Sequence, residues 1–212
     1  MKKKIIFFAA HHDDIELGCG GTALKYKKKG YEVNYVIFTK SGYKDEKGKI
    51  VRDSIIAQKE AQKAAKIIGV KKIFNLNLET NDIKINDKIK SSIINILKKI
   101  KPSIVFVHWR YDVHYDHRII SDLVLGLTKN IENVFLYRSN FLKSNKEFEG
   151  NFYINISQEF NKKIKAIKEF KGELKRVKNS WIKIVKNENR LNGFQIGTEY
   201  AERFEVVRIS LI

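Results

Sequence analysis

Apolar positions follow two rhythms along the chain. Short runs rich in β-branched and aromatic residues, at Lys4–Ala9, Glu32–Phe38, Lys72–Leu76, Ile104–His108 and Val134–Tyr137, read as strands. Between them, Gly20–Lys29, Asp53–Ile68, Asp87–Ile100 and Asp116–Thr128 carry apolar residues at helical spacing. Gly30 and Gly69 stand where helix C-caps are expected. Strict alternation of the two types predicts an α/β fold, a Rossmann-like three-layer sandwich with a mainly parallel sheet and helices on both faces. After residue 150 the pattern changes. A strand at Phe152–Ile156 leads through Ser157, an expected N-cap, into a helical run Glu159–Lys175. A second helix over Ser180–Leu191 and a strand over Arg203–Ser210 complete an elaborated C-terminal third. No repeat or Gly/Ser/Pro linker intervenes, so residues 1–212 are expected to form a single domain.

Composition narrows the classes. The 212 residues, 43% hydrophobic, are enough for a self-sufficient core and too apolar for disorder. Cys19 is the only cysteine, which excludes an internal disulfide framework. No apolar run reaches the ~20 residues needed to span a bilayer. Lysines at 2–4 followed by Ile5–Ala10 imitate a signal peptide, but the apolar part gives way at once to His11 and Asp13; a cytoplasmic location is expected. Lys plus Arg is 42 against 24 for Asp plus Glu, a net charge of +18. That charge suits an anionic partner: nucleic acid, an acidic lipid surface or a phosphorylated substrate. Only eight of the basic residues are Arg, the better reader of phosphates and bases, and the lysines are spread along the chain. A solvated lysine surface is therefore the preferred reading, and no nucleic-acid partner is expected.

In open parallel sheets, ligands collect beyond the carboxyl ends of the strands. His11, His12, Asp13 and Asp14 directly follow the first predicted strand, and His108, Asp112, His114, Asp116 and His117 follow the fourth. All five histidines of the chain lie in these two segments. Neutral imidazole and carboxylate are the ligands that Zn²⁺ prefers, and two histidines with one carboxylate would leave a position open for water. Zinc would lower the pKa of that water toward ~7, and a nearby carboxylate could serve as general base. The Gly18–Thr22 segment fails the G-x-G-x-x-G spacing because Ala23 holds the third glycine position, so its glycines are expected to let a loop pass near the metal site and open the next helix. Cys19 reads as a small packed residue.

These residues carry a specific resemblance. Ala10-His11-His12-Asp13-Asp14-Ile15-Glu16-Leu17-Gly18-Cys19-Gly20-Gly21-Thr22 is similar to the A-H-P-D-D-x-E-x-G-x-G-G-T signature of the LmbE/PIG-L family of zinc-dependent N-deacetylases. Asp112-Val-His114-Tyr-Asp116-His117-Arg118 resembles its D-x-H-x-D-H-R motif. Glu60-Ala61, Ala64-Ala65 and Gly69 resemble its E-A-x-x-A-A-x-x-L-G helix, and Gly197 to Phe204 its G-x-x-Y-A-E-x-F closing segment. By position, the resemblance implies His11, Asp14 and His117 as zinc ligands and Asp13 as general base. It implies His114 as the group that polarises the amide carbonyl and stabilises the oxyanion, and either His114 or Asp13 as proton donor to the leaving amine. It also implies Asp116 as the residue orienting His114, and Asp112 as a support behind the ligands.

The implied activity is hydrolysis of an N-acetyl group from an N-acetylglucosamine-type conjugate or nucleotide-linked amino sugar. An anionic group on that substrate would suit the basic surface, and a homo-oligomer is compatible with the resemblance. Two positions depart from the pattern. His12 replaces a proline, and Ala57 stands where relatives often carry an arginine three residues before the helix glutamate, a loss for which Arg52 or Lys59 could compensate. The rivals are a metal-dependent phosphoesterase and a non-catalytic, basic nucleic-acid-binding protein on the same fold.

Overall fold

In the computed structural model, which describes residues 2–210, side chains along the first strand alternate between two apolar layers. In β1 (Lys4–Ala9), Ile5, Phe7 and Ala9 pack into one cluster, whereas Ile6 and Phe8 pack into another. A strand apolar on both faces must be covered on both. One face is closed by α1 (Asp14–Lys28) and α2 (Ser54–Ile68), the other by α3 (Asp87–Ile100) and α4 (Tyr115–Leu127). With β2 (Glu32–Thr39), β5 (Lys72–Leu78), β6 (Ile104–His108), β7 (Asn133–Tyr137), β8 (Phe152–Asn155) and β9 (Ala201–Arg208), β1 forms a seven-stranded sheet of order β5-β2-β1-β6-β7-β9-β8. The first five strands in that order are parallel, and β9 and β8 add antiparallel pairs at one edge. This is the expected mainly parallel sandwich.

Most local differences from the sequence reading have physical causes. Helix α1 starts at Asp14, not Gly20, and is interrupted at Cys19 (φ −146°, ψ 22°). Its glycines serve packing inside a helix, not a loop: a Cβ on Gly18 would come within 2.4 Å of the Tyr137 ring, and one on Gly21 within 2.7 Å of Ile156. The expected helix Glu159–Lys175 is two helices, α5 (Phe160–Ile167) and α6 (Lys171–Arg176), because the fully buried Phe170 between them turns into the core. Ser157 does not cap α5; its hydroxyl donates to Asn155 Oδ1 and accepts the Tyr200 N–H. Finally, β3 (Tyr43–Lys44) and β4 (Ile50–Arg52) form a separate hairpin, too short to register as periodicity. The last helix, α7 (Ser180–Gln195), runs one turn beyond its expected end. Among the described residues, no helix is long and apolar enough to cross a membrane.

Candidate metal centre and catalytic site

Parallel pairing of β1 with β6, Ile5 against Ile104 through Phe7 against Phe106, places the carboxyl ends of the two strands side by side. The two histidine-bearing segments therefore meet. The exit of β1 is pinned by the Ala10 N–H donating to His108 Nε2 (2.9 Å) and by the Thr39 N–H donating to the Ala10 carbonyl (3.0 Å). The His11 N–H then donates to Asp14 Oδ2 (2.7 Å), a tight turn that sets these two side chains next to each other. Across the cleft, Asp112 Oδ1 accepts the His114 N–H (2.8 Å) and His114 Nδ1 accepts the Asp116 N–H (3.2 Å). These caps start α4 and present His114, Asp116 and His117 together.

His11 Nδ1 lies 3.3 Å from His117 Nε2 and 3.4 Å from Asp14 Oδ2, and His117 Nε2 lies 3.3 Å from Asp14 Oδ1. All three side chains are buried. The remote imidazole nitrogens face carboxylates: His11 Nε2 is 3.1 Å from Asp116 Oδ2, and His117 Nδ1 is 3.1 Å from Asp112 Oδ2. Metal-binding histidines are typically held this way, with the second nitrogen donating to a carboxylate and the first free to bind the ion. Ser139 Oγ donates to Asp14 Oδ1 (2.9 Å). The donor set and its supports fit a divalent cation such as zinc. His11, His114 and Asp116 also lie close enough to hold an ion; there Asp116 Oδ2 is already engaged by His11 and by the Asn81 N–H (2.9 Å), while Oδ1 has no partner among the described residues.

The expected contact of the Asp116 carboxylate with His114 is therefore replaced by one with His11, and only the Asp116 backbone N–H reaches His114. Charges in the cluster follow from this packing. Burial opposes charge on His117, but Asp14 and Asp112 outweigh it and push its pKa up to about 10. Burial likewise opposes charge on Asp14, yet His117, His108 and His11 hold its carboxyl well below the usual range. His114 is lowered to about 4, by burial and then by His11 and His117, and so is neutral at neutral pH. Because its Nδ1 accepts a backbone N–H, the proton of the neutral ring sits on Nε2. His108 is also lowered to about 4, by burial and then by His117; its ring stacks on His117 at 3.8 Å between centroids. His12 turns away, its Nδ1 2.7 Å from Ser41 Oγ.

Asp13 stands at the N-cap position of α1 without a side-chain capping bond, and lines a cavity of about 570 Å³ together with His11, Asp14, His114 and His117. Burial raises the Asp13 pKa, and Arg52 opposes that shift with Nη2 2.8 Å from Asp13 Oδ2. Arg52, from β4, thus brings a guanidinium into the cavity of a chain that has Ala57 on α2, whereas Lys59 is exposed. Arg52 Nε also lies 3.8 Å from Glu173 Oε1 on α6, and Glu173 Oε2 accepts from Arg176. Glu202 does not line the cavity: its carboxylate accepts the N–H groups of Gly21 (2.9 Å) and Thr22 (2.7 Å) and pairs with the buried Lys163 (2.7 Å). Arg190 is exposed.

Sequence reasoning missed Ser139, Asn81 and Glu173. The first two follow β7 and β5, so the same strand-end rule that found the histidines could have flagged them. Glu173 carried no signal, since only the packing of α6 beside β4 brings it near Arg52.

The site's relatives can now be compared. A family model described as PIG-L, GlcNAc-PI de-N-acetylase, matches residues 6–128. The chain is 24% identical over 230 residues to the diacetylchitobiose deacetylase of Thermococcus kodakarensis, covering 97% of this chain and 83% of the relative. The structure of N,N'-diacetylchitobiose deacetylase from Pyrococcus horikoshii superposes with a TM-score of 0.82 at 25% identity, covering 97% of this chain and 84% of that one. A 4-carboxy-2-hydroxymuconate hydratase from Pseudomonas putida KT2440 superposes nearly as well, TM-score 0.81, at 16% identity over 99% of this chain and 98% of that one. The fold alone thus leaves the reaction open, and the residues at the strand ends have to decide it. The family match takes in both loops that build the buried His–Asp cluster, and on that ground the chain belongs to the PIG-L family of de-N-acetylases.

Proposed function

We propose that the protein hydrolyses the acetamide of an N-acetylglucosamine-type sugar conjugate, with zinc held by His11, Asp14 and His117 and with Asp13 as general base. The observation that carries this reading is the convergence of three roles in one cavity: a buried two-histidine, one-carboxylate donor set, a carboxylate beside it, and a neutral imidazole opposite. A bound divalent ion supplies Lewis acidity, which makes water more acidic and an amide carbonyl more electrophilic. Asp13, raised by burial, is suited to accept the proton of the attacking water. As the new C–O bond forms, the Nε2–H of His114 donates to the carbonyl oxygen that becomes negative. The C–N bond then breaks, and the proton held by Asp13 passes to the leaving nitrogen. The products are acetate and a free amine, and both side chains regain their starting protonation. Asp116 and Asp112 orient His11 and His117 through their remote nitrogens.

The test is amine release from a panel of N-acetylglucosamine conjugates and nucleotide-linked amino sugars, after chelation and after zinc is restored. Activity that is lost on chelation and returns with zinc supports the reading. Phosphate release without amine release would favour a phosphoesterase. Nucleic-acid binding that weakens steeply with salt and ignores chelator, with no amine release, would favour the binding protein.

A further inference from the structure

The catalytic cavity has two chemically different ends. Besides the His–Asp cluster, the lining holds Phe141 and Leu142 from the segment after β7, Val177 after α6, and Trp181 and Ile184 on α7. Trp181 and Ile184 are three positions apart and share a helix face. Trp181, with Phe141, packs against the apolar cluster that contains Leu17, Ile167 and Val185. The turn between α6 and α7 holds two consecutive non-glycine residues in the left-handed region, Lys178 (φ 50°) and Asn179 (φ 59°). Such backbone is costly and persists where surrounding structure requires it; here it delivers the first turn of α7 to the cavity. At the rim, Leu142 is 68% exposed.

Apolar side chains gathered inside a polar cleft are characteristic of a surface that a ligand covers. The acetyl methyl reacts at the other end and is too small to cover this wall. A second sugar ring would need hydrogen-bond partners on several sides; Asn140, Arg176 and Ser180 line the same cavity, but the five side chains of the wall itself offer only the indole N–H of Trp181. Building on the deacetylase reading, we infer that the substrate is an N-acetylamino sugar bearing an apolar alkyl or aryl aglycone, which packs on Trp181, Ile184, Phe141 and Leu142 and sets specificity.

The experiment compares acetate release from methyl and phenyl 2-acetamido-2-deoxyglucosides, from diacetylchitobiose, and from glucosamides with longer N-acyl chains. Phenyl should exceed methyl in kcat/KM by about tenfold, through a lower KM, as expected for burial of an aromatic ring. In Trp181→Ala that ratio should fall toward one. A binding readout runs in parallel. Of the two tryptophans, Trp109 is buried with its Nε1 donating to Glu205, so a fluorescence change on adding the phenyl glycoside should come from Trp181 and vanish in Trp181→Phe. Equal phenyl and methyl rates, a ratio unchanged in Trp181→Ala, or preference for diacetylchitobiose or for longer acyl chains would each overturn the inference. If no glycoside releases acetate, the deacetylase reading fails. The fluorescence titration then still decides the wall: a Trp181-dependent response to the phenyl glycoside supports it, and no response overturns it.

Discussion

Arg52 Nη2 sits 2.8 Å from Asp13 Oδ2, and both side chains are about nine-tenths hidden from solvent. The hairpin β3–β4 thereby holds the carboxylate proposed as general base, and Arg52 Nε also approaches Glu173. Breaking a buried pair from one side leaves an uncompensated charge. Arg52→Met should lower kcat by at least about tenfold, since a correctly held base contributes ~10²–10⁴ to such reactions. Metal content should stay at the wild-type level. Arg52→Lys should recover only part of the rate, because an ammonium cannot engage Asp13 and Glu173 with the fixed fork of a guanidinium. Steady-state kinetics with metal analysis checks this; unchanged kcat in Arg52→Met would show the pair to be incidental.

The base role proposed for Asp13 and the ligand role proposed for His117 can be tested separately. Asp13→Asn keeps the shape and lies beside the donor set without belonging to it, so zinc content should remain near stoichiometric while turnover drops by about 10²–10⁴. His117→Ala removes one of three donors and should weaken zinc binding, measured by competition with a chromogenic chelator. Zinc lost from Asp13→Asn, or retained at full affinity in His117→Ala, would reverse the assignments.

How much of this was legible in the sequence depends on how local each signal is. The apolar runs of β1 and β6 and the histidines at their ends were readable, since strand length and the carboxyl-end rule both act within a few residues. The start of α1 misleads: the stretch before Gly20 reads as a loop, while Gly18 as well as Gly21 admits a neighbouring side chain, Tyr137 and Ile156, into close contact with a helix. The partner of Asp116 was assigned by resemblance to His114, whereas the first turn of α4 aims the carboxylate at His11. Arg52 was named only as a compensating possibility, because its approach to Asp13 depends on a hairpin of two- and three-residue strands. The break between α5 and α6 was invisible, as the burial of Phe170 is decided by tertiary packing and not by local propensity.

Cys19 should be chemically inert in the folded protein. Burial pushes its thiol well above the ordinary value, Glu202 pushes the same way, and Lys163 opposes. The thiolate is the reactive form, so a raised pKa keeps the reactive fraction small while pH rises through the usual thiol range. Alkylation by iodoacetamide, followed by mass spectrometry, should be negligible up to pH about 9 in buffer and rapid in denaturant, where the ordinary value near 8.5 returns. Rapid labelling of the native protein at pH 8 would contradict the buried placement.

Lys163 and Glu202 link the C-terminal third to the metal centre without touching it. Just after the interruption of α1 at Cys19, Glu202 from β9 accepts the N–H groups of Gly21 and Thr22. Lys163 on α5 donates to Glu202 Oε1 (2.7 Å) and to Asn189 Oδ1 (2.9 Å) with no solvent exposure. Removing one member strands the other in the core, so Lys163→Met should cost about 3–5 kcal/mol in urea unfolding. Glu202→Gln keeps an acceptor for one N–H but turns an amide donor toward its neighbours, so it too should destabilise. In the double variant neither charge is stranded, and the loss should be smaller than the sum of the singles by at least about 1 kcal/mol. Because the start of α1 carries Asp14, the single variants should also bind zinc more weakly, although neither residue contacts the ligands. Additive losses with unchanged zinc affinity would mean that α1 holds its position without this network.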